Sequence, residues 1–147
     1  MKINTAYFGQ VEIEDSEIIN FPEGLPAFEH LKQFIILDAE EEIAFRWLQS
    51  LEDENIAFVI INPFLFKFDY EFKLSDHVLE KLKIESEADV AVYSIVVIPE
   101  KMEDMTANLL APVVINVREK LGKQIVLENT DYRTKHKIAE EAGKETC

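Results

Sequence analysis

Cysteine is almost absent from this sequence of 147 residues, because the only one is Cys147, the last residue. A disulfide within the chain is therefore excluded, and a reducing, cytoplasmic location is the natural expectation. Long hydrophobic runs are missing as well, since none approaches the roughly 18 residues that a membrane-spanning helix needs. The opening segment MKINTAYFGQVEIED has no continuous apolar stretch, so we expect no signal peptide and no membrane partner.

The residue types that build catalytic and metal sites are few and scattered. The three histidines, His30, His77 and His136, make no pair at helical spacing, whereas metal sites usually show clustered ligands. No serine lies in a G-x-S-x-G elbow, and the four glycines are too far apart to form a phosphate-binding loop. We therefore predict a protein that is not an enzyme and that needs no metal or other cofactor.

Basic residues are fewer than acidic residues in this sequence. The sequence has 29 acidic residues against 15 lysines and arginines, which gives a net charge of −14. Residues 1–117 contain 23 acids and 8 bases, whereas residues 118–147 contain 6 acids and 7 bases. Because affinity for nucleic acid rests on Lys and Arg neutralising phosphates, direct binding of DNA or RNA is not expected. Two explanations of the acidity stay open, solubility alone and attraction of a basic protein partner.

What the sequence does contain is a series of short β-type runs. Segments rich in β-branched and aromatic residues alternate with turn signals. The predicted runs are a hairpin turning at Gly9-Gln10, then EIINF (17–21), QFIILDA (33–39), AFRWLQS (44–50), IAFVIINPF (56–64), ADVAVYSIVVI (88–98), the run 107–117 and, after a turn at Gly122-Lys123, QIVL (124–127), with an acidic turn at Glu40-Glu41-Glu42. They predict a mainly β, mostly antiparallel single domain that is strongly curved or barrel-like.

One helix interrupts the strands, at about residues 75–84. Ser75 is a suitable N-cap, and Asp76 lies in the first turn, where its charge favours the helix dipole. The apolar residues of its one face are Val78, Leu79 and Leu82. We assign residues 1–132 to one β domain with this helix packed over an end. The polar segment 133–147 has no sustained apolar face, and we expect it to be frayed or disordered.

The segment TANLLAPVVINV (106–117) is unusually apolar for so acidic a chain. Because proline cannot donate to a strand ladder, Pro112 must lie at an edge or a bulge if the run is one strand. Two interpretations stay open, a core strand with a bulge and an incompletely covered strand able to receive another chain. In both, alternate residues such as Leu110 and Val114 are expected to face inward.

The loop FPEGLPAFEH (21–30) also has two interpretations. Its two prolines restrict the backbone and lower its flexibility. The large apolar residues Phe21, Leu25 and Phe28 either plug the open end of the β domain or contribute to a binding surface.

Several of these segments together resemble one known family. They are FPEGLPAFE (21–29), WLQSLEDENIAFVIINPF (47–64), DYEFKL (69–74), MTANLLAPVVIN (105–116), KQIVL (123–127) and Tyr132. Through them the sequence resembles the FliW family of flagellar assembly factors, from about Phe8 to Tyr132. The resemblance implies an antiparallel pseudo-barrel with one capping α-helix.

The resemblance also implies a regulator that binds proteins and has no catalytic activity. Members of the family bind flagellin and, once flagellin is exported, bind CsrA, a small dimeric RNA-binding protein that represses flagellin translation. Binding at a site away from the RNA surface would antagonise CsrA allosterically and relieve the repression. The alternative is a dedicated chaperone for flagellin with no effect on translation.

The matching segments and the acidic loop at 100–104 supply the candidate partner-binding residues. They are Phe28, Gln49, Asp69, Glu103, Asp104, Thr106, Asn108, Leu109, Pro112 and Asn116. Of these, Thr106, Asn108 and Asn116 are expected either to hold strand ends or to meet a partner. The resemblance does not divide the set between CsrA and flagellin.

Overall fold

The protein is mainly β in a computed structural model that describes residues 1–38 and 45–138. The strands are β1 (Lys2–Thr5), β2 (Gly9–Glu12), β3 (Ile19–Asn20), β4 (Gln33–Asp38), β5 (Arg46–Ser50), β6 (Ala57–Ile61), β7 (Val90–Val97), β8 (Thr106–Ala107), β9 (Val113–Asn116), β10 (Leu121–Gln124) and β11 (His136–Lys137). The α-helix α1 spans Asp76–Lys81. The predicted acidic turn at residues 40–42 lies outside the described residues.

Seven strands close into a barrel. Antiparallel pairing joins β3 to β4, β4 to β5, β5 to β6, β6 to β7, β7 to β9 and β9 to β10. The ring closes where β10 lies parallel to β3, through the one register pair Leu121 and Asn20. The predicted antiparallel barrel is confirmed, with a single parallel seam.

The apolar side chains divide between the inside and the outside of the barrel wall, because successive residues of a strand point to opposite faces. The interior contains Phe34, Leu48, Ile60, Val113 and Ile115. The outer core contains Ile61, Val96 and Val114 together with Val78 of α1 and Leu82, the C-cap of that helix. A third cluster buries Ile3 of β1 and Ile13, which follows β2, against Ile35 of β4. The helix and the N-terminal hairpin therefore cover different parts of the outer wall.

The N-terminal hairpin is confirmed, but its turn lies earlier than predicted. β1 and β2 pair antiparallel, and the turn occupies residues 6–8, so Gly9 and Gln10 belong to β2. The hydroxyl of Thr5 accepts the Phe8 amide at 2.9 Å and donates to the Gly9 carbonyl oxygen at 2.8 Å. This side-chain bridge closes the turn before the glycine.

The helix begins where predicted and ends earlier. Ser75 is the N-cap, and its Oγ accepts the amide of Val78 at 3.2 Å. The predicted end at residue 84 is wrong, because α1 ends at Lys81 and Lys83 adopts a left-handed conformation with φ of 54°. The Ile84 amide then donates to the carbonyl oxygen of Leu79 at 2.9 Å, which turns the chain away from the helix axis.

The apolar segment 106–117 is not the single long strand that was predicted. It forms β8 and β9 with a turn at residues 108–112 between them, where the side-chain oxygen of Asn108 accepts the Ala111 amide at 2.9 Å. Pro112 ends this turn, outside the strand ladder that its missing N–H would weaken. β9 pairs with both β7 and β10, and β8 pairs with both β7 and β11. The interpretation of an uncovered strand that receives another chain is therefore wrong.

The turn predicted at Gly122-Lys123 is also misplaced. Residues 117–120 form the turn, and Gly122 and Lys123 lie inside β10. Gly122 packs against the ring of Phe21, and a Cβ at this position would come within 2.5 Å of a ring carbon. The glycine is thus required by close packing and not by a turn.

The C-terminal segment is described as far as Ile138. Within it, β11 pairs antiparallel with β8, His136 opposite Ala107 and Lys137 opposite Thr106. The prediction that the segment 133–147 is frayed or disordered is therefore wrong for β11, and for residues 139–147, which lie outside the described part of the chain, it stays a prediction. None of the helices in the described part is long and apolar enough to cross a membrane.

Candidate functional site

The connection between β7 and β8 forms the first candidate binding surface. We define the acidic-loop surface by its exposed residues Val97, Ile98, Glu100, Glu103 and Asp104. Val97, the last residue of β7, and Ile98, which follows it, are 58% and 42% exposed. Apolar area beside carboxylates suits a partner that presents apolar and basic side chains together.

Three predicted residues lie on or beside this surface. Glu103 and Asp104 are exposed in a short 3-10 turn, and the Asp104 amide donates to the carbonyl oxygen of Lys101 at 2.9 Å. Thr106 is half-buried and lies opposite Val97 of β7 in the register. The structure therefore brings Glu103, Asp104 and Thr106 to one place.

Leu109 is buried and is tied to the segment that contains Asp69. The phenol of Tyr70 donates to the carbonyl oxygen of Leu109 at 2.6 Å. Burial, and then the neighbouring Tyr132, raise the pKa of Tyr70. Asp69 itself is exposed, and its Oδ1 lies 2.9 Å from Nζ of Lys67. Leu109 therefore stabilises the fold, while Asp69 is open to solvent.

Asn116 is fully buried and joins β9 to the end of α1. Its Nδ2 donates to the carbonyl oxygens of Leu82 at 2.7 Å and Lys83 at 3.0 Å. Its Oδ1 accepts the backbone amides of Arg118 at 3.0 Å and Glu119 at 3.1 Å. Asn116 was expected either to hold a strand end or to meet a partner, and in the structure it holds the end of β9.

Gln49 is also fully buried and organises the turn that follows β5. Its Nε2 donates to the carbonyl oxygens of Ser50 at 3.0 Å, Glu54 at 3.3 Å and Ile56 at 3.2 Å. Because a buried backbone carbonyl needs a hydrogen-bond partner, this side chain fixes the path of the turn.

The loop at 21–30 plugs the barrel, as one of its two interpretations predicts. Phe21 and Leu25 are 0% and 1% exposed and belong to the interior core. Phe28 is half-buried, and its ring centroid lies 5.4 Å from that of Phe58 in an edge-to-face arrangement. The outer side of Phe28 is the one part of this apolar set that a partner could touch.

The exposed carboxylate of Glu23 connects the loop at 21–30 to β10 and to α1. Glu23 accepts a hydrogen bond from Nζ of Lys123 on β10, and its second oxygen lies 3.6 Å from Nζ of Lys81 on α1. The hydrogen bond from Lys123, together with the positive charges of Lys123 and Lys81, lowers the pKa of Glu23.

The ten predicted residues do not form one surface. Gln49, Leu109, Pro112 and Asn116 are buried, Phe28, Thr106 and Asn108 are half-buried, and Asp69, Glu103 and Asp104 are exposed. Contact of any of them with a partner stays a prediction. Only the exposed and half-buried members can make such a contact without a change in conformation.

Sequence reasoning missed a groove beside α1. We define the α1 groove by its apolar lining residues Phe72, Leu74, Leu79, Ile84, Val90 and Val92. The one available signal was Leu79, which the helical pattern placed on the same face as two neighbours that are buried in the outer core. The other apolar lining residues come from the segments before and after α1, between Phe72 and Val92, and no single helical or strand period connects them.

The fold and its surfaces define a class, namely a closed seven-strand β barrel with one small helix on its outer wall and an acidic exterior. The model of the FliW protein family matches residues 2–138. This match spans nearly the whole chain. The chain therefore belongs to the FliW family of flagellar assembly factors.

Individual relatives agree with this assignment. The flagellar assembly factor FliW of Alkaliphilus metalliredigens is 50% identical over 145 residues, which cover 98% of this chain and 90% of that protein. The protein of the same name from Clostridium tetani is 45% identical over 144 residues, which cover 98% and 99%. A crystal structure of the flagellar assembly factor FliW matches with a TM-score of 0.89 at 45% identity, over 94% of this chain and 96% of that one. These relatives are named for assembly and not for a catalysed reaction.

Proposed function

We propose that this chain is a cytoplasmic, non-catalytic regulator of flagellin synthesis that binds two proteins in turn. It binds flagellin and, when flagellin has been exported, it binds the RNA-binding repressor CsrA and relieves the repression of flagellin translation. Membership in the FliW family supports the role in flagellar assembly. The observation that carries the choice of a basic partner is the net charge of −14, together with the acidic-loop surface.

The acidity supplies a physical route to antagonism. A protein that binds RNA presents Lys and Arg to phosphates, and an acidic body docked beside those groups repels the phosphates. Like charges brought together at an interface cost several kcal/mol, and about 1.4 kcal/mol is already a tenfold change in affinity. RNA binding is thereby weakened even though the RNA surface itself stays uncovered, which is the allosteric antagonism proposed here.

The acidic-loop surface is our proposed contact for CsrA. Glu103 and Asp104 supply exposed charge, and Val97 and Ile98 supply apolar area at the same place. Charge at the rim of an interface accelerates association and makes it sensitive to salt, while buried apolar area determines the lifetime of the complex. Binding of CsrA should therefore weaken as ionic strength rises.

Titration calorimetry with purified CsrA, at low and moderate salt and then with saturating flagellin, tests the proposal. Binding that weakens with salt and is abolished by flagellin is the expected result. If flagellin leaves the binding of CsrA unchanged, the two proteins do not bind in turn, and that part of the proposal is wrong. Binding of flagellin without any binding of CsrA would replace the regulator by a dedicated flagellin chaperone.

Two double variants locate the contact. Glu100→Lys with Glu103→Lys alters the acidic-loop surface, and Glu12→Lys with Glu54→Lys makes the same change of four charge units beside the N-terminal hairpin. The acidic-loop variant should weaken CsrA binding about tenfold, and the hairpin variant by less than about threefold. The reason is that dissolved salt screens charges that lie far from the contact. Equal loss in both variants would show that net charge alone matters.

A further inference from the structure

The α1 groove is an open concavity that is lined mainly by apolar side chains. It lies between α1, the segment 70–74 and the start of β7, and its volume is about 810 Å³. Residues of the outer core form its floor, and its apolar lining residues are half-buried and not sealed. A groove of this size is in the range that protein sites use to bind an apolar group.

Exposed apolar residues continue beside the α1 groove. Phe64, which lines one end, is 39% exposed, and Leu65 and Phe68 of the same loop are 54% and 73% exposed. Three large apolar side chains are therefore open to solvent within five positions of the chain, and one of them lines the groove.

The rim of the α1 groove is acidic. Glu71, Glu85 and Glu87 lie around it, against the single base Lys73. Arg118 approaches Glu85 at 3.6 Å, whereas no ion pair engages Glu71 or Glu87 within residues 1–38 and 45–138. The two carboxylates without a basic partner lie at the mouth of an apolar groove, which favours an occupant that carries positive charge at its ends.

We propose that the α1 groove binds a short amphipathic segment of a protein partner, with apolar side chains in the groove and Lys or Arg side chains against Glu71 and Glu87. The inference rests on the proposed function for the choice of flagellin and CsrA as the proteins to test. It adds to that function a second surface, away from the acidic-loop surface, with a stated chemistry. The apolar floor would bind the apolar side chains of such a segment, and the acidic rim would bind the basic residues that flank them.

The test is a comparison of three proteins, the unaltered chain, Glu71→Lys with Glu87→Lys, and the charge-matched control Glu12→Lys with Glu54→Lys. All four glutamates are exposed, so the substitutions leave the core intact. Affinities for purified flagellin and purified CsrA are measured by calorimetry, and the methyl signals of Leu79 and Val92 are followed by NMR during the titrations. We expect the groove variant to lose at least about tenfold in affinity for one of the two proteins, the control to stay within about threefold, and the two methyl signals to shift with that protein.

Equal affinities of the groove variant and the control for both proteins would overturn the proposal. If the unaltered chain binds neither protein, the proposed function fails, and a synthetic helical peptide with a leucine face and lysine ends then decides the groove proposal. Shifts of the Leu79 and Val92 methyl signals on adding this peptide, with about tenfold weaker binding by the groove variant, would support it. Absence of those shifts in the unaltered chain would overturn it.

Discussion

The side-chain nitrogen of Asn116 lies 2.7 Å from the carbonyl oxygen of Leu82, and this contact ties the last residue of β9 to the end of α1. Asn116→Ala removes both its donor and its acceptor and leaves buried backbone groups without partners. We expect the free energy of unfolding to fall by about 2 to 3 kcal/mol. Urea unfolding measures this, with Asn4→Ala, at an exposed position of β1, as a control that should change stability by less than about 0.5 kcal/mol. An unchanged stability of the Asn116 variant would show that water replaces the amide.

Tyr70 gives a prediction for alkaline pH. Burial raises its pKa above the ordinary 10.0, so the unfolded chain loses the phenolic proton at a pH where the folded protein still holds it. The stability that this group contributes is complete below pH 10.0 and is lost as the pH rises through the folded pKa. Tyr70→Phe should remove this alkaline loss and should also cost about 1 to 2 kcal/mol at neutral pH, since the carbonyl oxygen of Leu109 loses its donor.

Phenolate absorbance and urea unfolding at several alkaline pH values test this prediction. Tyr7 is 62% exposed, so Tyr7→Phe is the control. The prediction is contradicted if Tyr70 loses its proton at the ordinary pKa of 10.0 while the protein is folded.

Gly122 gives a prediction about packing. In Gly122→Ala the added methyl would meet the buried ring of Phe21, and overpacking of this kind typically costs about 1 to 3 kcal/mol. Phe21→Leu removes the ring atoms that clash, so the double variant should lose less stability than the sum of the two single variants. Thermal unfolding of the unaltered chain, the two single variants and the double variant measures this coupling. Strictly additive losses of stability would show that β10 and the Phe21 ring separate without strain.

Glu23 gives a prediction for acid pH. Because its pKa is lowered from 4.5 in the folded protein, its contribution to stability is present above pH 4.5 and is lost as the pH falls through the folded pKa. Glu23→Gln should cost roughly 0.2 to 1 kcal/mol at neutral pH, since the ion pairs are exposed, and the difference from the unaltered chain should shrink in acid and in high salt. Glu54→Gln is the matched control, and equal pH profiles for both variants would contradict the prediction.

The barrel could be predicted because its strands carry their own signals. The run 56–64 is apolar and β-branched, and Ser75 precedes a helical pattern, so both elements follow from local sequence. The run 106–117 misled because both of its halves are buried, and a continuous apolar run does not show where the chain turns. Pro112 indicated an interruption, but the hydrogen bond from the Ala111 amide to the Asn108 side chain, which places the turn, is known only from the structure.

The candidate residues could be predicted only in part, because a motif typical of a family marks packing as well as contact. Gln49 and Asn116 belong to such motifs and hold buried carbonyl groups. Spacing along the chain cannot separate these from exposed residues such as Glu103 and Asp104. The α1 groove escaped prediction because residues about 72 to 92 meet there only after the barrel wall has formed.

The parallel seam between β3 and β10 has a consequence for the order of folding. The strands from β3 to β7 follow one another along the chain and pair with their neighbours, and the longest connection among them is the segment 62–89 between β6 and β7. The seam joins Asn20 to Leu121, and bringing such distant residues together costs more chain entropy. The barrel should therefore assemble as an open, curved sheet first and become a ring last. A chain interrupted during synthesis before β10 would leave exposed the edges of β3 and β9, which β10 covers in the complete protein.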